Sequence, residues 1–148
     1  MPVAHLRPIA ALCAALVLLA FRPSAAGELL PGPVPAEVME VIDGDTVRVR
    51  AHIWLGQAVE TAVRLSGINA PELRGECEVE RRLARKAKDF LSRRLAGHTV
   101  RLRDITYDKY GGRVVARIDD SEGRNLGEEL VAAGLARLYD GGKRRPWC

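Results

Sequence analysis

The fold is indicated by the stretch from Val38 to Leu65, VMEVIDGDTVRVRAHIWLGQAVETAVRL. It opens with two runs rich in β-branched residues, Val38–Ile42 and Thr46–Leu55, separated by an Asp-Gly-Asp turn at 43–45. An Asp-Gly pair between such runs is a strong signal for a β-hairpin. A third run, Ala58–Leu65, follows after a short turn. Apolar and polar residues alternate in the second and third runs, which predicts strands with one buried and one solvent-facing side.

Beyond these strands the spacing of the apolar residues becomes helical. From Glu78 to Leu95 they recur at the intervals of an amphipathic helix, and Gly97 is expected to end it. Alternation returns in Thr99–Ile105 and Arg113–Ile118, which predicts strands four and five.

A second, short helix is predicted near the end of the pattern. Asn125 with Glu128 three residues later is typical of a helix N-terminus, and Gly134 is expected to stop the helix after Ala133. Three strands, a helix, two strands and a helix predict a mainly β protein with helices (α+β), a five-stranded OB-fold barrel with a helix between strands three and four. A generic α+β domain is the alternative.

The first 26 residues are typical of a secretory signal peptide. Ile9–Phe21 is an unbroken apolar run, shorter than the roughly 20 residues that a membrane-spanning helix needs. Ser24 and Ala26 supply the small residues of a cleavage site. We therefore expect removal of residues 1–26 and a periplasmic or secreted protein. An uncleaved anchor is the alternative, because Arg22 directly follows the apolar run.

Composition is that of a folded chain. Of 148 residues, 47% are hydrophobic and 28% are charged, which excludes a disordered or collagen-like protein. Residues 27–35, rich in Pro and Gly, are expected to form a linker, and residues 36–148 to form one domain.

The positive charge is concentrated in one region. The net charge is only +4, but nine cations fall between residues 81 and 103 with Asp89 as the one acid among them: Arg81, Arg82, Arg85, Lys86, Lys88, Arg93, Arg94, Arg101 and Arg103. Arginine favours bidentate contact with phosphate or carboxylate. A solvated helix face is the alternative reading of the same pattern.

Two cysteines, Cys77 and Cys148, follow the predicted signal peptide. An even count in an oxidising compartment favours pairing, so we expect one disulfide between them. It would tie the end of the chain to the segment ahead of the long helix. Two free thiols are the alternative.

Polar residues gather at the predicted strand ends, in the stretches Asp43–Thr46, Arg64, Asn69–Glu72 and Asp108–Arg113. Oxygen ligands such as Asp45 and Asn69 suit a hard cation such as calcium. Glu72 is suited to orienting or deprotonating a water molecule. Arg64 and Arg113 are suited to clamping a phosphate. Taken singly, each residue has a simpler reading: Asp43-Gly44 as a turn, Glu72 as a surface carboxylate after a proline, and Arg64 as an ion pair on a strand face.

Taken together, these residues resemble the staphylococcal nuclease-like (thermonuclease) domain family from about Val38 to Tyr139. The motifs that carry the resemblance are VIDGDTV at 41–47, VRL at 63–65, APE at 70–72, DKYG at 108–111 and GLA at 134–136. The resemblance implies a calcium-dependent phosphodiesterase on an OB-fold barrel. Such an enzyme cuts DNA and RNA with little sequence preference and leaves 5′-hydroxyl ends.

The resemblance also implies a metal site. Asp45 would bind calcium directly, with Asp43 close by in the same turn. Asn69 and the backbone carbonyl of Ala70 would complete the protein ligands. The family usually has a second Asp at the position of Asn69, so this chain keeps a carbonyl ligand but loses a charge. Weaker calcium binding, another metal or no activity would follow from that change.

For catalysis, the resemblance assigns Glu72 as general base and Arg64 and Arg113 as phosphate-binding arginines. Tyr110 corresponds to a tyrosine lining the nucleotide site, and Tyr139 is a looser match to the stacking aromatics. One extra glycine precedes Arg113 relative to the family motif, which a β-bulge could absorb. We also expect the family's last helix to be missing, because only nine residues follow Tyr139 in this sequence.

We therefore expect an exported nuclease with DNA and RNA as partners, no protein partner, no membrane association beyond the signal segment, and a monomeric state. The rival hypothesis is a non-catalytic nucleic-acid-binding module, in which the same barrel keeps a basic groove while Asn69 disables the metal site. Binding of DNA without cleavage in the presence of calcium would distinguish the two.

Overall fold

The computed structural model describes residues 27–95 and 97–148. Eight strands and two helices make up its elements: β1 (Leu29–Leu30), β2 (Val34–Val41), β3 (Thr46–Trp54), β4 (Gln57–Leu65), β5 (Ile68–Asn69), α1 (Glu78–Leu95), β6 (Thr99–Tyr107), β7 (Arg113–Asp119), α2 (Leu126–Ala132) and β8 (Arg137–Leu138). The signal peptide predicted for residues 1–26 lies outside the described residues. Neither α1 nor α2, the helices of this described part, is long and apolar enough to cross a membrane.

Five of the strands close into a barrel. β2, β3 and β4 form an antiparallel meander, in which Val41 lies opposite Val47 across the hairpin turn. β6 pairs antiparallel with both β2 and β7, and β7 pairs in parallel with β4, so the sheet returns on itself. This arrangement confirms the predicted five-stranded OB-fold barrel, with α1 inserted between its third and fourth strands.

The alternation in β3 determines which side chains fill the barrel. Val47, Val49 and Ala51 are buried, whereas the arginines between them face solvent. Leu91 and Leu95 of α1 are fully buried in the same core. Burial of one such leucine contributes about 1.5–3 kcal/mol to folding. The helix therefore packs its apolar stripe onto the barrel and leaves its charged side outside.

Short strands that the sequence did not predict complete the fold. β1 lies inside the segment expected to be a linker, where Leu29 and Leu30 pair with Thr106 and Ile105 of β6. β5 and β8 form a separate two-stranded ladder, with Asn69 opposite Arg137. Two-residue ladders are too short to produce a visible alternation, since that pattern needs four or more residues.

The predicted disulfide is confirmed. Cys77 and Cys148, 71 residues apart in sequence, are bonded with their Cα atoms 5.9 Å apart. Cys77 immediately precedes α1, so the end of the chain is fixed beside the start of this helix.

Candidate active site

The turn between β2 and β3 is held tightly against the rest of the molecule. The carboxylate of Asp43 accepts a hydrogen bond from the Asp45 amide at 3.0 Å. A Cβ atom added to Gly44 would lie 2.7 Å from the Cβ of Ala87 in α1 and 3.2 Å from that of Ala70. Only glycine fits between these neighbours, so the turn packs closely on α1 and directs Asp45 inward.

Asp45 is a buried carboxylate with three polar neighbours. One of its oxygens accepts a hydrogen bond from the Thr46 hydroxyl at 3.0 Å. The other accepts one from the Ala70 amide at 3.3 Å and lies 3.4 Å from Nη2 of Arg64. Burial raises the pKa of Asp45 to about 6, against the opposing effect of the Arg64 charge. This carboxylate is therefore not fully compensated by the protein, and a cation beside it would stabilise its charged form.

Asn69 is the last residue of β5, where it pairs with Arg137 of β8. It is only 6% exposed, and Ala70, which follows it, is hydrogen bonded to Asp45. The structure thus brings Asp45, Asn69 and Ala70 together, although they are far apart in the sequence. Within residues 27–95 and 97–148, no group of three or more His, Cys, Asp or Glu residues is arranged to hold a metal. Asp45 supplies one carboxylate here, and Asn69, next to Ala70 in the chain, carries a side-chain amide; oxygen donors of these types suit a hard cation, with less ligand charge than two carboxylates would give.

Arg64 is fixed by backbone contacts. It is 8% exposed, and Nη2 donates to the carbonyl of Ile68 at 2.9 Å while Nη1 donates to that of Leu65 at 3.4 Å. The carbon of its guanidinium group lies 5.9 Å from the centroid of the Tyr139 ring. This arginine therefore has a set orientation between the carboxylate of Asp45 and an aromatic face.

Arg113 is the first residue of β7 and is paired with Asp108. Its Nε lies 2.5 Å from an Asp108 oxygen, and the other oxygen accepts the Tyr110 amide at 3.2 Å. Burial opposes ionisation of Asp108, but the hydrogen bonds from Arg113 and Tyr110 hold its pKa below the ordinary value. Arg113 and Arg64 line one cleft of about 280 Å³, together with Tyr110 and Tyr139.

The extra glycine ahead of Arg113 lies in the turn between β6 and β7. Gly111 and Gly112 both adopt positive φ angles, +72° and +71°, which glycine tolerates without steric cost. β7 then begins at Arg113, which pairs with Ala62 of β4. The extra glycine is therefore not absorbed by a β-bulge in the strand. It is absorbed in the turn, where Gly111 and Gly112 both take left-handed backbone conformations.

Glu72 lies on a loop that a buried carboxylate holds in place. The two oxygens of Glu80 accept the amides of Glu72 at 3.2 Å and Glu76 at 3.1 Å. A side chain at Gly75 would collide with Glu80, so the loop wraps closely around it. Sequence reasoning missed Glu80. Its signal is an acid at the third position of α1, the place from which a side chain reaches back to the preceding amides.

The carboxylate of Glu72 is itself exposed and paired. Nη1 of Arg144 lies 3.2 Å from Glu72 Oε1, and the two side chains are 43% and 56% exposed. Glu72, Asn69 and Ala70 line a second cleft of about 360 Å³. Arg144 lines this cleft and also the cleft that contains Arg64. The predicted site residues other than Asp43 and Asp45 therefore line these two clefts, while Asp45 contacts the site through Ala70 and Arg64. Arg144, which sequence reasoning missed, borders both clefts.

Comparisons with known proteins find nuclease homologues. A sequence profile described as "Staphylococcal nuclease homologue" matches residues 62–146. A protein of Escherichia coli named "Uncharacterized endonuclease" is 28% identical over 112 residues, which cover 76% of this chain and 65% of that protein. "Endonuclease Htp3" of Saprolegnia parasitica is 30% identical over 115 residues, covering 70% of this chain and 54% of that protein. "Probable endonuclease C19F8.04c" of Schizosaccharomyces pombe is 33% identical over 86 residues, covering 54% and 37%. The chain thus spans no more than 65% of the length of these curated relatives.

Proposed function

This chain belongs to the family of staphylococcal nuclease homologues, and from that premise we propose that it is an exported, calcium-dependent nuclease. It hydrolyses phosphodiester bonds of DNA and RNA with little sequence preference and leaves 5′-hydroxyl ends. The observation that carries the proposal is the contact between Asp45, Arg64 and Ala70, which joins a buried, incompletely compensated carboxylate to a fixed guanidinium group at the rim of an OB-fold barrel.

Calcium would be held by the carboxylate of Asp45, the side-chain carbonyl of Asn69 and the backbone carbonyl of Ala70, with Asp43 in the adjoining turn. Burial of Asp45 supports this assignment, because a neighbouring cation offsets the cost of a desolvated negative charge. When bound, the ion supplies Lewis-acid polarisation of a phosphoryl oxygen. The family is typically calcium-dependent. Because Asn69 replaces a carboxylate, we expect this chain to bind calcium more weakly than a site with two carboxylates would.

Glu72 acts on the attacking water. Its exposed carboxylate accepts a proton from water, the water oxygen attacks phosphorus, and the bond from phosphorus to the 5′ oxygen breaks. The departing oxygen takes up a proton from solvent water and leaves as a 5′-hydroxyl. Glu80 fixes the backbone on which Glu72 stands, through the two amide hydrogen bonds to the loop.

Arg64 and Arg113 bind the phosphate on which the negative charge gathers. Arg64 is already oriented by the carbonyls of Leu65 and Ile68. Arg113 lines the same cleft while Asp108 holds its Nε, which leaves its terminal nitrogens to donate to the phosphate. Preorganised donors of this kind stabilise the transition state because they need no reorientation during the reaction.

The nucleotide bases contact Tyr110 and Tyr139. Tyr110 is 70% exposed at the mouth of the cleft, and Tyr139 lies deeper beside Arg64. Stacking of a base on an aromatic ring contributes about 1–3 kcal/mol per base and does not depend on base identity. This supports the low sequence preference.

The basic residues of α1 contribute only part of their charge to attracting a nucleic acid. Glu78 pairs with Arg81 and Arg85, and Arg94 pairs with Glu129 of α2, so part of the positive charge is neutralised within the protein. The remaining cations attract a polyanion from a distance, and that attraction weakens as salt is added. Export to the periplasm or the medium is supported by the disulfide, which persists in oxidising compartments. We propose a monomer.

Digestion of heat-denatured DNA by the purified chain, across a calcium series with a chelator control, tests the proposal. We expect cleavage that requires the metal and products whose 5′ ends can be phosphorylated directly by a kinase. The second candidate, a non-catalytic binding module, is favoured by the loss of ligand charge at Asn69. Retarded DNA in a gel, with no cleavage at any calcium concentration, would support that candidate and contradict the nuclease.

A further inference from the structure

The end of the chain is anchored beside the candidate active site. We call residues 140–148 the tail. Cys148 is bonded to Cys77, and the Trp147 ring lies 3.9 Å from the guanidinium carbon of Arg137. Arg137 also donates to the backbone carbonyl of Pro146 at 3.1 Å. The last three residues of the tail are thus fixed by a covalent bond, a stacking contact and a hydrogen bond.

The start of the tail is anchored as well. The hydroxyl of Tyr139 donates to the carbonyl of Gly142 at 2.9 Å. The Tyr139 amide donates to the carbonyl of Gly67, in the turn between β4 and β5, at 2.9 Å. With both ends fixed, the residues between them can move only a short distance from the site.

Arg144 lies between these anchors and reaches both clefts. Its Nη1 is 3.2 Å from Oε1 of Glu72, and its guanidinium carbon is 5.8 Å from the centroid of the Tyr139 ring. The guanidinium carbon of Arg64 lies 5.9 Å from the same centroid. Two arginines therefore converge on one aromatic ring, one from the metal side of the site and one from the tail.

The partner of Arg144 is easily exchanged. The Arg144 and Glu72 side chains are 43% and 56% exposed, so water and salt screen their ion pair, and such pairs contribute little. Arg64, in contrast, is 8% exposed and bound to two carbonyls, and Arg113 is held by the buried Asp108. Among these three arginines, Arg144 is the one that can change partner at the smallest cost.

We propose that Arg144 is a third phosphate-binding arginine, which leaves Glu72 and takes a phosphate of a single-stranded nucleic acid when the strand enters the clefts. The inference rests on the proposed function for the identity of the polyanion. A phosphate offers the guanidinium a stronger, bidentate partner than a screened carboxylate does. The exchange also frees Glu72 to accept the proton of the attacking water. The Cys77–Cys148 disulfide keeps the tail close enough for this exchange to occur within the site.

Binding of a fluorescent single-stranded oligodeoxynucleotide, measured by anisotropy with a chelator present, separates binding from cleavage. We expect Arg144→Gln to weaken binding by about tenfold at low salt, the effect of losing one charge-assisted contact. The plot of log affinity against log salt should become shallower by about 0.7, since each phosphate contact to a single strand contributes about that much. Arg144→Lys should restore the slope but only part of the affinity, because lysine lacks the planar fork.

Arg48→Gln is the matched control. Arg48 forms an exposed ion pair with Glu40 at 3.5 Å, is 47% exposed and lines neither cleft. This variant should keep the slope of the wild-type chain. Equal slopes and affinities for Arg144→Gln and Arg48→Gln would overturn the proposal, as would an Arg144→Gln variant with a several-fold higher kcat/KM, because Arg144 would then only obstruct Glu72.

The disulfide is tested in the same assay with the double variant Cys77→Ser/Cys148→Ser. It should lose as much affinity as Arg144→Gln does, and the two changes together should lose no more than either alone. Additive losses would contradict the role of the disulfide in holding Arg144. If Arg144→Gln weakens DNA binding as expected but the wild-type chain cleaves no DNA with calcium, the nuclease proposal fails and the proposal for Arg144 stands. A wild-type chain that binds no DNA overturns both.

Discussion

Asp45 shows how one residue of the site can oppose folding. Burial raises its pKa to about 6 from an ordinary value of 3.8, although Arg64 acts in the opposite direction. The folded chain therefore binds this proton more tightly than the unfolded chain does. The resulting loss of stability is absent below about pH 4, grows between the two pKa values and is complete above about pH 6. A shift of this size corresponds to about 3 kcal/mol at most.

The first prediction follows from that cost. Asp45→Asn should raise the free energy of unfolding at pH 7, without divalent cations, by about 1–3 kcal/mol, because the amide carries no charge to desolvate. The gain should nearly vanish at pH 4. Urea unfolding at both pH values measures it, with the exposed Asp89→Asn as control. An Asp45→Asn variant less stable than the wild type at pH 7 would contradict the assignment of Asp45 as an incompletely compensated charge.

In the proposed metal site, Asn69 stands where the family usually has a second acidic ligand. Asn69→Asp should increase calcium affinity several-fold, because a second anionic oxygen strengthens binding of a hard cation. Without calcium the variant should be less stable, since position 69 is only 6% exposed and a second buried charge would lie near Asp45. A calcium titration of DNA cleavage measures the first effect. An unchanged calcium midpoint would remove Asn69 from the metal site.

At the scale of elements, the loop that carries Glu72 depends on the first turn of α1. Glu80→Gln leaves one of the two loop amides facing an NH₂ group, and the loss of one buried hydrogen bond costs about 1–3 kcal/mol. We expect lower stability and a lower kcat with little change in KM, because Glu72 would move while Arg64 and Arg113, proposed to bind phosphate, would not. Thermal unfolding and steady-state cleavage measure both effects.

Glu78→Gln is the matched control for that change. Glu78 lies two residues earlier in α1, is exposed and forms surface ion pairs with Arg81 and Arg85, which contribute little to stability. If Glu80→Gln unfolded and cleaved DNA like Glu78→Gln, the buried carboxylate would have no role in positioning the loop.

The elements also show what the sequence can and cannot predict. Val47, Val49 and Ala51 alternate because they line the barrel, so β3 was predicted almost to its ends, and α1 was predicted at its observed bounds. β5 and β8 were not predicted, because two paired residues leave no periodic pattern. Arg144 could not be predicted as part of the site, since its contact with Glu72 depends on the path of the tail, which no local pattern specifies.

For the whole molecule, the disulfide joins residues 71 positions apart and closes most of the domain into a loop. Cross-linking a loop of this length stabilises the folded state by about 4 kcal/mol in the chain-entropy view. Reduction should therefore lower the free energy of unfolding by about 2–4 kcal/mol. Urea unfolding with and without a thiol reductant measures the change, and the Cys77→Ser/Cys148→Ser variant should not respond to the reductant. Equal stability of oxidised and reduced chains would contradict this expectation.

The molecule is proposed to be a nuclease in which Glu72 acts on the attacking water. The rates at which wild type, Glu72→Gln and Glu76→Gln cleave heat-denatured DNA at saturating calcium test that role. Glu76 lies on the same loop, so it controls for the loss of a carboxylate there. We predict that Glu72→Gln lowers the rate by about 100-fold or more, as expected for loss of a general base, while Glu76→Gln cleaves like the wild type. Cleavage by Glu72→Gln at the wild-type rate would contradict the account.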